Sequence, residues 1–235
     1  MIKMTTMKIS CVITTKDEEK LVEICLQSIK DQCDEIIVVD SYSEDGTVDI
    51  CSKYTDKIVR VQCNIPEGRN IGASHARGDA LLFVCADTVL SPDWIKLTLP
   101  NLQKDDIVAV YGKSLPIEQG FKQTLTYIGL DLLDALLFRR IGIAGIGGGG
   151  MAFIVKAGAF RRIKGFDERL AHVEDSDLSK RLGRIGKVHF ERKAISHSSV
   201  RSLEKFGYMQ RIWYWSKESF NWLFRNRLPR KEYPR

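Results

Sequence analysis

The 235-residue sequence has no apolar run long enough to span a membrane, and its most apolar stretch, residues 127–146, contains two aspartates and two arginines. Residues 1–200 also lack an excess of either charge, because they hold equal numbers of basic and acidic residues. A nucleic-acid groove would need a basic body, so that class is not favoured. The net charge of +6 lies entirely in residues 201–235, which hold nine Lys or Arg and three Asp or Glu. A basic tail on a neutral body indicates a peripheral charged partner.

Paired metal-binding cysteines are also missing. The six cysteines all precede residue 86, form no C-x-x-C pair and have no histidine at zinc spacing. This leaves no candidate zinc site and favours reduced thiols in the core of a cytoplasmic protein. The polar start, Met1–Met7, predicts no secretory signal.

Strand-like and helix-like segments alternate along the first half of the chain. The buried strand patterns lie at residues 8–14, 35–40, 57–62, 80–86 and 107–112. This repetition predicts an α/β fold with a doubly wound, mostly parallel sheet and helices on both faces. The less regular second half is predicted to contain helices at 119–140 and 174–184, a glycine-rich loop at 142–150, and strands at 151–155, 187–191 and 193–197.

Four short polar patches follow one another in a fixed order. They are Val38–Thr47, Gly68–Gly72, Cys85–Thr88 and Glu174–Leu178. Each follows an apolar run or begins a helix, which is where α/β sheets bind ligands. In order and spacing they resemble the family 2 glycosyltransferases of the GT-A fold, over roughly residues 8–200. The resemblance implies a Rossmann-like GT-A domain at 1–200, and residues 201–235 are expected to form an amphipathic helical tail.

The resemblance implies a nucleotide pocket beside the first strands. Asp40–Thr47 is similar to the family's V-D-D-G-S-x-D-G-T, with Ser41 in place of the second aspartate. A carboxylate at Asp40 can accept hydrogen bonds from uracil or guanine. The residues that the resemblance assigns to the nucleotide are Thr14, Thr15, Glu18, Asp40, Arg69 and Ala86. A purely structural role is also open: Asp40 can order its own loop, Glu18 can cap a helix and Arg69 can be a surface residue.

Cys85-Ala86-Asp87 stands where the family has D-x-D, a motif that binds Mn²⁺ or Mg²⁺ at the donor diphosphate. Cys85 replaces the first carboxylate, and a hard cation gains little from a thiol. Asp87 is the expected metal ligand, and His197 is the expected second one. In the alternative interpretation Asp87 caps the turn at Ser91 and His197 is structural.

Glu174-Asp175-Ser176-Asp177-Leu178 follows Gly165-Phe166-Asp167-Glu168, as in the family's G-F-D-E…E-D-x-D-L. Three carboxylates at one helix start repel each other, although the helix dipole offsets part of that. The resemblance implies that Asp175 is the base for an acceptor hydroxyl, with Glu174 beside it, and that the sugar is transferred with inversion.

The glycine-rich segment before the predicted strand at 151–155 matches G-x-G-x-x-G only formally, because a strand and not a helix follows it. Glycines there permit close approach of a ligand to the backbone. The resemblance places the donor sugar and acceptor beside Gly148, Gly149, Gly150 and Met151.

Residues 206–224 contain eight aromatic residues among basic ones. A helix of this composition can lie in a membrane interface and attract anionic headgroups. Alternatively, its aromatic side chains pack on the domain while the cations stay in solvent. Base stacking is a third interpretation, which the neutral body disfavours.

The sequence thus predicts a metal-dependent glycosyltransferase that uses a nucleotide diphospho-sugar, with UDP favoured over GDP. Its expected acceptor is a lipid-linked or membrane-proximal glycan, and its expected location is the cytoplasm or the cytoplasmic face of a membrane. One rival is a sugar nucleotidyltransferase, which would need a glycine-rich loop that residues 14–20 lack. The other is a non-catalytic nucleotide-sugar-binding protein, which Cys85 makes plausible.

Overall fold

A computed structural model describes residues 7–118, 120–121, 123–129, 132, 152–170 and 173–225. The first half alternates strands and helices: β1 (Ile9–Thr15), α1 (Val22–Ile29), β2 (Glu35–Asp40), α2 (Thr47–Cys51), β3 (Ile58–Arg60), α3 (Ile65–His75), β4 (Ala80–Cys85), β5 (Thr88–Leu90), α4 (Trp94–Leu102) and β6 (Ile107–Pro116). The later labelled elements are β7 (Ala152–Lys156), α5 (Ala157–Arg162), α6 (Glu174–Leu182), β8 (Lys187–Ser198), α7 (Arg201–Phe206) and α8 (Tyr208–Arg225). Residues 121 and 123–129 are also helical.

The described strands form one sheet in the order β3-β2-β1-β4-β7-β6-β8-β5. The first four are parallel to one another, whereas β7 runs antiparallel between β4 and β6. The predicted α/β fold with a mostly parallel sheet is confirmed. The antiparallel β7 is a feature that its apolar pattern could not reveal, because burial on both faces does not specify strand direction.

The two short strands predicted at 187–191 and 193–197 are one strand, β8, interrupted by a bulge. Gly112 of β6 pairs with Glu191, and the next residue, Lys113, pairs with Ile195. The bulge brings the backbone of Ala194 against β6, where a Cβ on Gly112 would lie 2.6 Å from the Ala194 carbonyl oxygen. A glycine is therefore needed at this crossing.

The core consists of two apolar layers, one on each face of the sheet. Alternation along β1 sends Cys11 and Ile13 to one layer and Val12 to the other. In the second layer the Phe83 and Phe153 rings stack with centroids 5.1 Å apart. The sheet is covered on both sides, so ligands can reach its strands only at their ends.

The C-terminal helices pack partly on the domain. Tyr208 of α8 lies against Tyr127 and Val200. Near the other end of α8, Trp222 packs on Leu170, and the Lys180 Nζ lies 4.8 Å from the Trp222 ring centroid. These contacts agree with the packed interpretation for two of the tail aromatics. No helix in the described part of the chain has the length and apolarity needed to cross a bilayer.

Candidate functional site

The polar patches meet at the carboxyl ends of β2, β1 and β4. Thr15 is paired with Asp40, and Thr14 is paired with both Val39 and Cys85. These strands are parallel, so their last residues share one edge of the sheet. The sequence prediction that distant patches form a single edge is geometrically correct for these three strands.

Two loops at this edge are joined to each other by reciprocal hydrogen bonds. The backbone N–H groups of residues 17–19 donate to side chains of residues 43–47, and two backbone N–H groups of the second loop donate back. The pairs are Asp17 to Ser43 at 2.9 Å, Glu18 to Thr47 at 2.7 Å, Glu19 to Asp45 at 3.1 Å, Glu44 to Asp17 at 2.9 Å, and Gly46 to Glu19 at 3.1 Å. Most polar residues of the first patch therefore order these loops.

Asp40 is fully buried and its carboxylate is already used by its own surroundings. It accepts hydrogen bonds from Thr15 Oγ1 and from the Ser43 N–H, both at 2.9 Å, and a further one from the Ser43 hydroxyl. Arg60 Nε lies 3.5 Å from Asp40 Oδ2. These contacts agree with the alternative role for Asp40, in which its carboxylate orders its own loop. Its contact with a nucleotide base stays a prediction.

Glu18 and Asp87 share one arginine from the start of α7. Arg201 Nη2 contacts Glu18 Oε1 and lies 3.5 Å from Asp87 Oδ2. Burial raises the pKa of Glu18 to about 7, although Arg201 opposes the shift. Burial likewise raises the pKa of Asp87, against the effect of Arg201. Glu18 Oε2 is buried and has no hydrogen-bond partner within the described residues, so this carboxylate retains capacity for a ligand.

The other acidic pair is held by Arg69, which is only 3% exposed. Its Nη1 lies 2.6 Å from Asp175 Oδ1 and 3.3 Å from Glu174 Oε1. Its Nη2 donates to Cys85 Sγ at 3.5 Å, and its guanidinium carbon lies 5.2 Å from the Phe166 ring centroid. Arg69 thus connects the start of α6 to the end of β4.

Arg69 reaches these groups because α3 lies very close to the sheet. A Cβ on Gly72 would lie 2.3 Å from Val12 Cγ1, so only glycine allows this approach. The sequence pattern predicts a short helix over residues 70–76, whereas the structure begins the helix at Ile65, where Asn64 and Glu67 form a capping box. The two glycines of α3 weaken the helical pattern in the sequence, which explains the missed first turn.

Charge and burial together set the protonation of this cluster. Burial and neighbouring Asp175 raise the pKa of Glu174 to about 8, while Arg69 opposes them. Burial raises the pKa of Asp175, and Arg69 again opposes the shift. Burial also raises the pKa of the Cys85 thiol to about 12. Cys85 is therefore a neutral thiol at pH 7, and it is a poor ligand for a hard cation.

The residues near Asp87 fit a divalent cation by their chemistry. Asp87 and the unpartnered oxygen of Glu18 are hard carboxylate donors, and Mg²⁺ commonly takes one or two carboxylates together with substrate phosphates. Within the described residues, no group of three or more His, Cys, Asp or Glu is placed to hold a metal by itself. His197 pairs with Val89 in the β8–β5 ladder, and its metal role stays a prediction.

Sequence reasoning assigned two of these residues to the nucleotide, which stays a prediction, and it missed a third residue. In the structure Glu18 lies beside Asp87, and Arg69 contacts Asp175. Arg201 was counted with the basic tail, although it contacts Glu18 and Asp87. Its position shortly after β8 is the one sequence signal that could have indicated a role in the site. Ala86 is buried between Cys85 and Asp87. The predicted sugar or acceptor residues Gly148, Gly149, Gly150 and Met151 lie outside the described residues.

The fold is that of the GT-A class. The profile of the family described as Glycosyl transferase family 2 matches residues 10–168. The chain therefore belongs to glycosyl transferase family 2, as its motifs predicted.

Known proteins resemble the chain over part of their length. A poly(ribitol-phosphate) beta-glucosyltransferase of Bacillus spizizenii is 29% identical over 157 residues, which cover 58% of this chain and 24% of that protein. The chain spans 22 to 24% of the length of such curated relatives.

Two solved structures share the fold. Mannosyltransferase PcManGT of Pyrobaculum calidifontis, in complex with GDP-Man and Mn²⁺, has a TM-score of 0.62 at 18% identity, over 83% of this chain and 57% of that one. S. aureus TarS 1-349 in complex with UDP-GlcNAc has a TM-score of 0.63 at 20% identity, over 82% of this chain and 58% of that one.

Proposed function

We propose that this protein transfers a sugar from a nucleotide diphospho-sugar to an acceptor hydroxyl. The observation that carries the proposal is the buried bridge from Asp175 and Glu174 through Arg69 to Cys85. Cys85 is two residues before Asp87, so the bridge supports a base that lies close to the proposed donor site. Family membership supplies the reaction class.

In the proposed reaction Asp175 accepts the proton of the acceptor hydroxyl as its oxygen attacks the anomeric carbon. Burial supports this role because it raises the pKa of the carboxyl and makes the carboxylate a stronger base. Arg69 favours the ionised form and fixes the orientation of the side chain through its 2.6 Å contact. The attacking oxygen gains the new C–O bond, and the nucleotide diphosphate leaves with the electron pair of the old one.

The departing diphosphate needs positive charge nearby. The positively charged side chain of Arg201 lies beside Glu18 and Asp87, and we assign it to the diphosphate. Asp87 and Glu18 would hold Mn²⁺ or Mg²⁺, which supplies further stabilisation of the leaving group when it is bound. The Mn²⁺ in the PcManGT complex supports this part of the proposal.

The donor and acceptor are proposed from relatives. UDP remains our proposed nucleotide, which the UDP-GlcNAc complex of TarS supports, although the PcManGT complex holds GDP-Man. We propose inversion at the anomeric carbon and a lipid-linked or membrane-proximal glycan as acceptor. The proposed location is the cytoplasm or the cytoplasmic face of a membrane, with the basic 201–235 tail as the peripheral contact.

The test compares Asp175→Asn with Asp177→Asn. Asp177 lies on the same helix, but its carboxylate pairs with Arg181 at 2.6 Å, so its variant controls for the loss of an acidic charge in α6. We expect Asp175→Asn to lower UDP release from UDP-sugars by at least about a hundredfold, as for loss of a general base, while nucleotide binding in a thermal-shift assay persists. Asp177→Asn is expected to retain turnover.

A donor panel with and without Mn²⁺ separates the rival functions. A nucleotidyltransferase would release no nucleoside diphosphate from this panel and would instead release pyrophosphate from a nucleoside triphosphate and a sugar 1-phosphate, whereas a binding protein would do neither. Near-normal turnover of Asp175→Asn would remove Asp175 from the base role.

A further inference from the structure

The helical residues 121, 123–129 and 132 expose a row of large apolar side chains, which we call the stripe. Phe121 is 84% exposed, Leu125 57%, Ile128 43% and Leu132 60%. Their spacing of four, three and four residues places them on one face of a helix. Large apolar side chains in such a row mark an interaction surface, whereas scattered exposed ones do not.

The opposite face of the same helix is anchored to the protein. Tyr127 is buried against Val200 and Tyr208, at the beginning of the C-terminal helices. Gln123 Nε2 also donates to Glu204 Oε1 at 3.3 Å. The stripe is therefore presented outward on a helix whose other side packs against the basic tail.

We propose that this stripe is the surface by which the protein lies on an anionic lipid membrane. A row of exposed apolar side chains on a helix whose other face packs on the protein suits a helix that lies in the membrane interface. The inference rests on the proposed function only in naming the surface that would bring a membrane-bound acceptor to the site.

The adjoining tail argues for lipid and against a second copy of the chain. Its nine basic and three acidic residues would attract anionic headgroups, whereas a dimer through this region would bring two basic tails together. α8 also exposes Trp213, which is 64% accessible, with the Lys217 Nζ 4.9 Å from its ring centroid. An exposed aromatic residue beside a cation is typical of membrane-interface helices.

The experiment measures co-sedimentation of the full chain with phosphatidylglycerol/phosphatidylcholine vesicles and with phosphatidylcholine vesicles alone. The test variant is Phe121→Ser/Leu125→Ser. The matched control is Ile24→Ser/Ile65→Ser, because these two isoleucines are 39% and 41% exposed elsewhere on the surface. Circular dichroism and thermal unfolding check that both variants are folded, and the oligomeric state is measured by light scattering.

We expect wild type and control to bind the anionic vesicles and the stripe variant to bind at least about tenfold more weakly, because two apolar side chains no longer leave water. Equal binding by all three proteins, or no binding by wild type, would overturn the proposal. A wild-type dimer that dissociates in the stripe variant would also overturn it, in favour of self-association. No donor or acceptor is needed, and nucleotide release in solution is measured separately, so failure of the catalytic proposal is distinguishable.

Discussion

Arg69→Met should disturb both the stability and the pH dependence of this protein. In the wild type one buried guanidinium serves two neighbouring carboxylates, at 2.6 Å from Asp175 and 3.3 Å from Glu174. Both acidic side chains are largely buried, with 16% and 13% exposed. Removing one partner of a buried ion pair costs about 3–5 kcal/mol when the remaining charge stays buried.

The carboxylates can reduce this cost by taking up protons. The pKa of Glu174 is already about 8 because burial outweighs Arg69, so this group is readily neutralised. Without the arginine the pKa of Asp175 should also rise further, since Arg69 is what opposes the effect of burial. We therefore expect a loss of about 3 kcal/mol in unfolding free energy, at the lower end of the range for broken buried pairs.

The same reasoning predicts a shift in the rate profile. The limb that reports ionisation of the base should move to higher pH by at least about one unit, and activity on the acid side should fall about tenfold for each unit. Rates of nucleotide release against pH, together with urea unfolding, measure both effects.

Arg169→Met is the matched control, because it removes an arginine whose side chain is 65% exposed in its ion pair with Asp167. That change should have little effect on stability, because solvent screens an exposed ion pair. Arg69→Lys keeps the charge but cannot make the branched contacts to both acids and Cys85, so intermediate behaviour is expected. An Arg69→Met protein with wild-type stability and an unmoved pH profile would refute the proposed coupling.

Two further substitutions test other parts of the molecule. Arg201→Met should raise the KM for the donor at least about tenfold with a smaller change in kcat, because a charge-assisted contact to the diphosphate is lost. An unchanged KM would remove Arg201 from the donor site. Glu35→Gln tests the contacts of the first strands. Burial favours a higher pKa for Glu35, but Lys57, Ser10 and a backbone N–H outweigh it and lower the pKa to about 2. A depressed carboxyl pKa stabilises the fold above the unfolded value near 4.5 and loses that effect as pH falls towards 2. Glu35→Gln should therefore lose at most about 2 kcal/mol at pH 7 and show a flatter acid dependence in urea unfolding; identical acid limbs would contradict this.

Much of the fold was predictable because each strand is a short local pattern. β2 occupies residues 35–40, as its apolar run predicts, and β4 ends one residue before its predicted end. The direction of β7 and the continuity of β8 were not predictable. Both depend on which strands become neighbours, and the bulge opposite Gly112 is a tertiary feature.

The candidate site was predictable as a location and much less as a set of contacts. Strand ends indicated the correct edge of the sheet, since that rule depends only on topology. Arg69 and Asp175 are 106 residues apart, and Arg201 and Glu18 are 183 apart, so no local pattern pairs them. An arginine is compatible with a phosphate or a carboxylate, and only the fold decides which one it contacts.

A polar residue at a strand end can serve the scaffold or the ligand, and its unused bonding capacity distinguishes the two. Asp40 accepts from Thr15 and Ser43, so its carboxylate has its bonding largely satisfied within the protein. Glu18 has one buried oxygen without a partner in the described residues. Asp175 has a raised pKa that favours proton transfer. An unsatisfied buried carboxylate destabilises the protein unless a ligand completes it, so ligand binding is expected at Glu18 before Asp40.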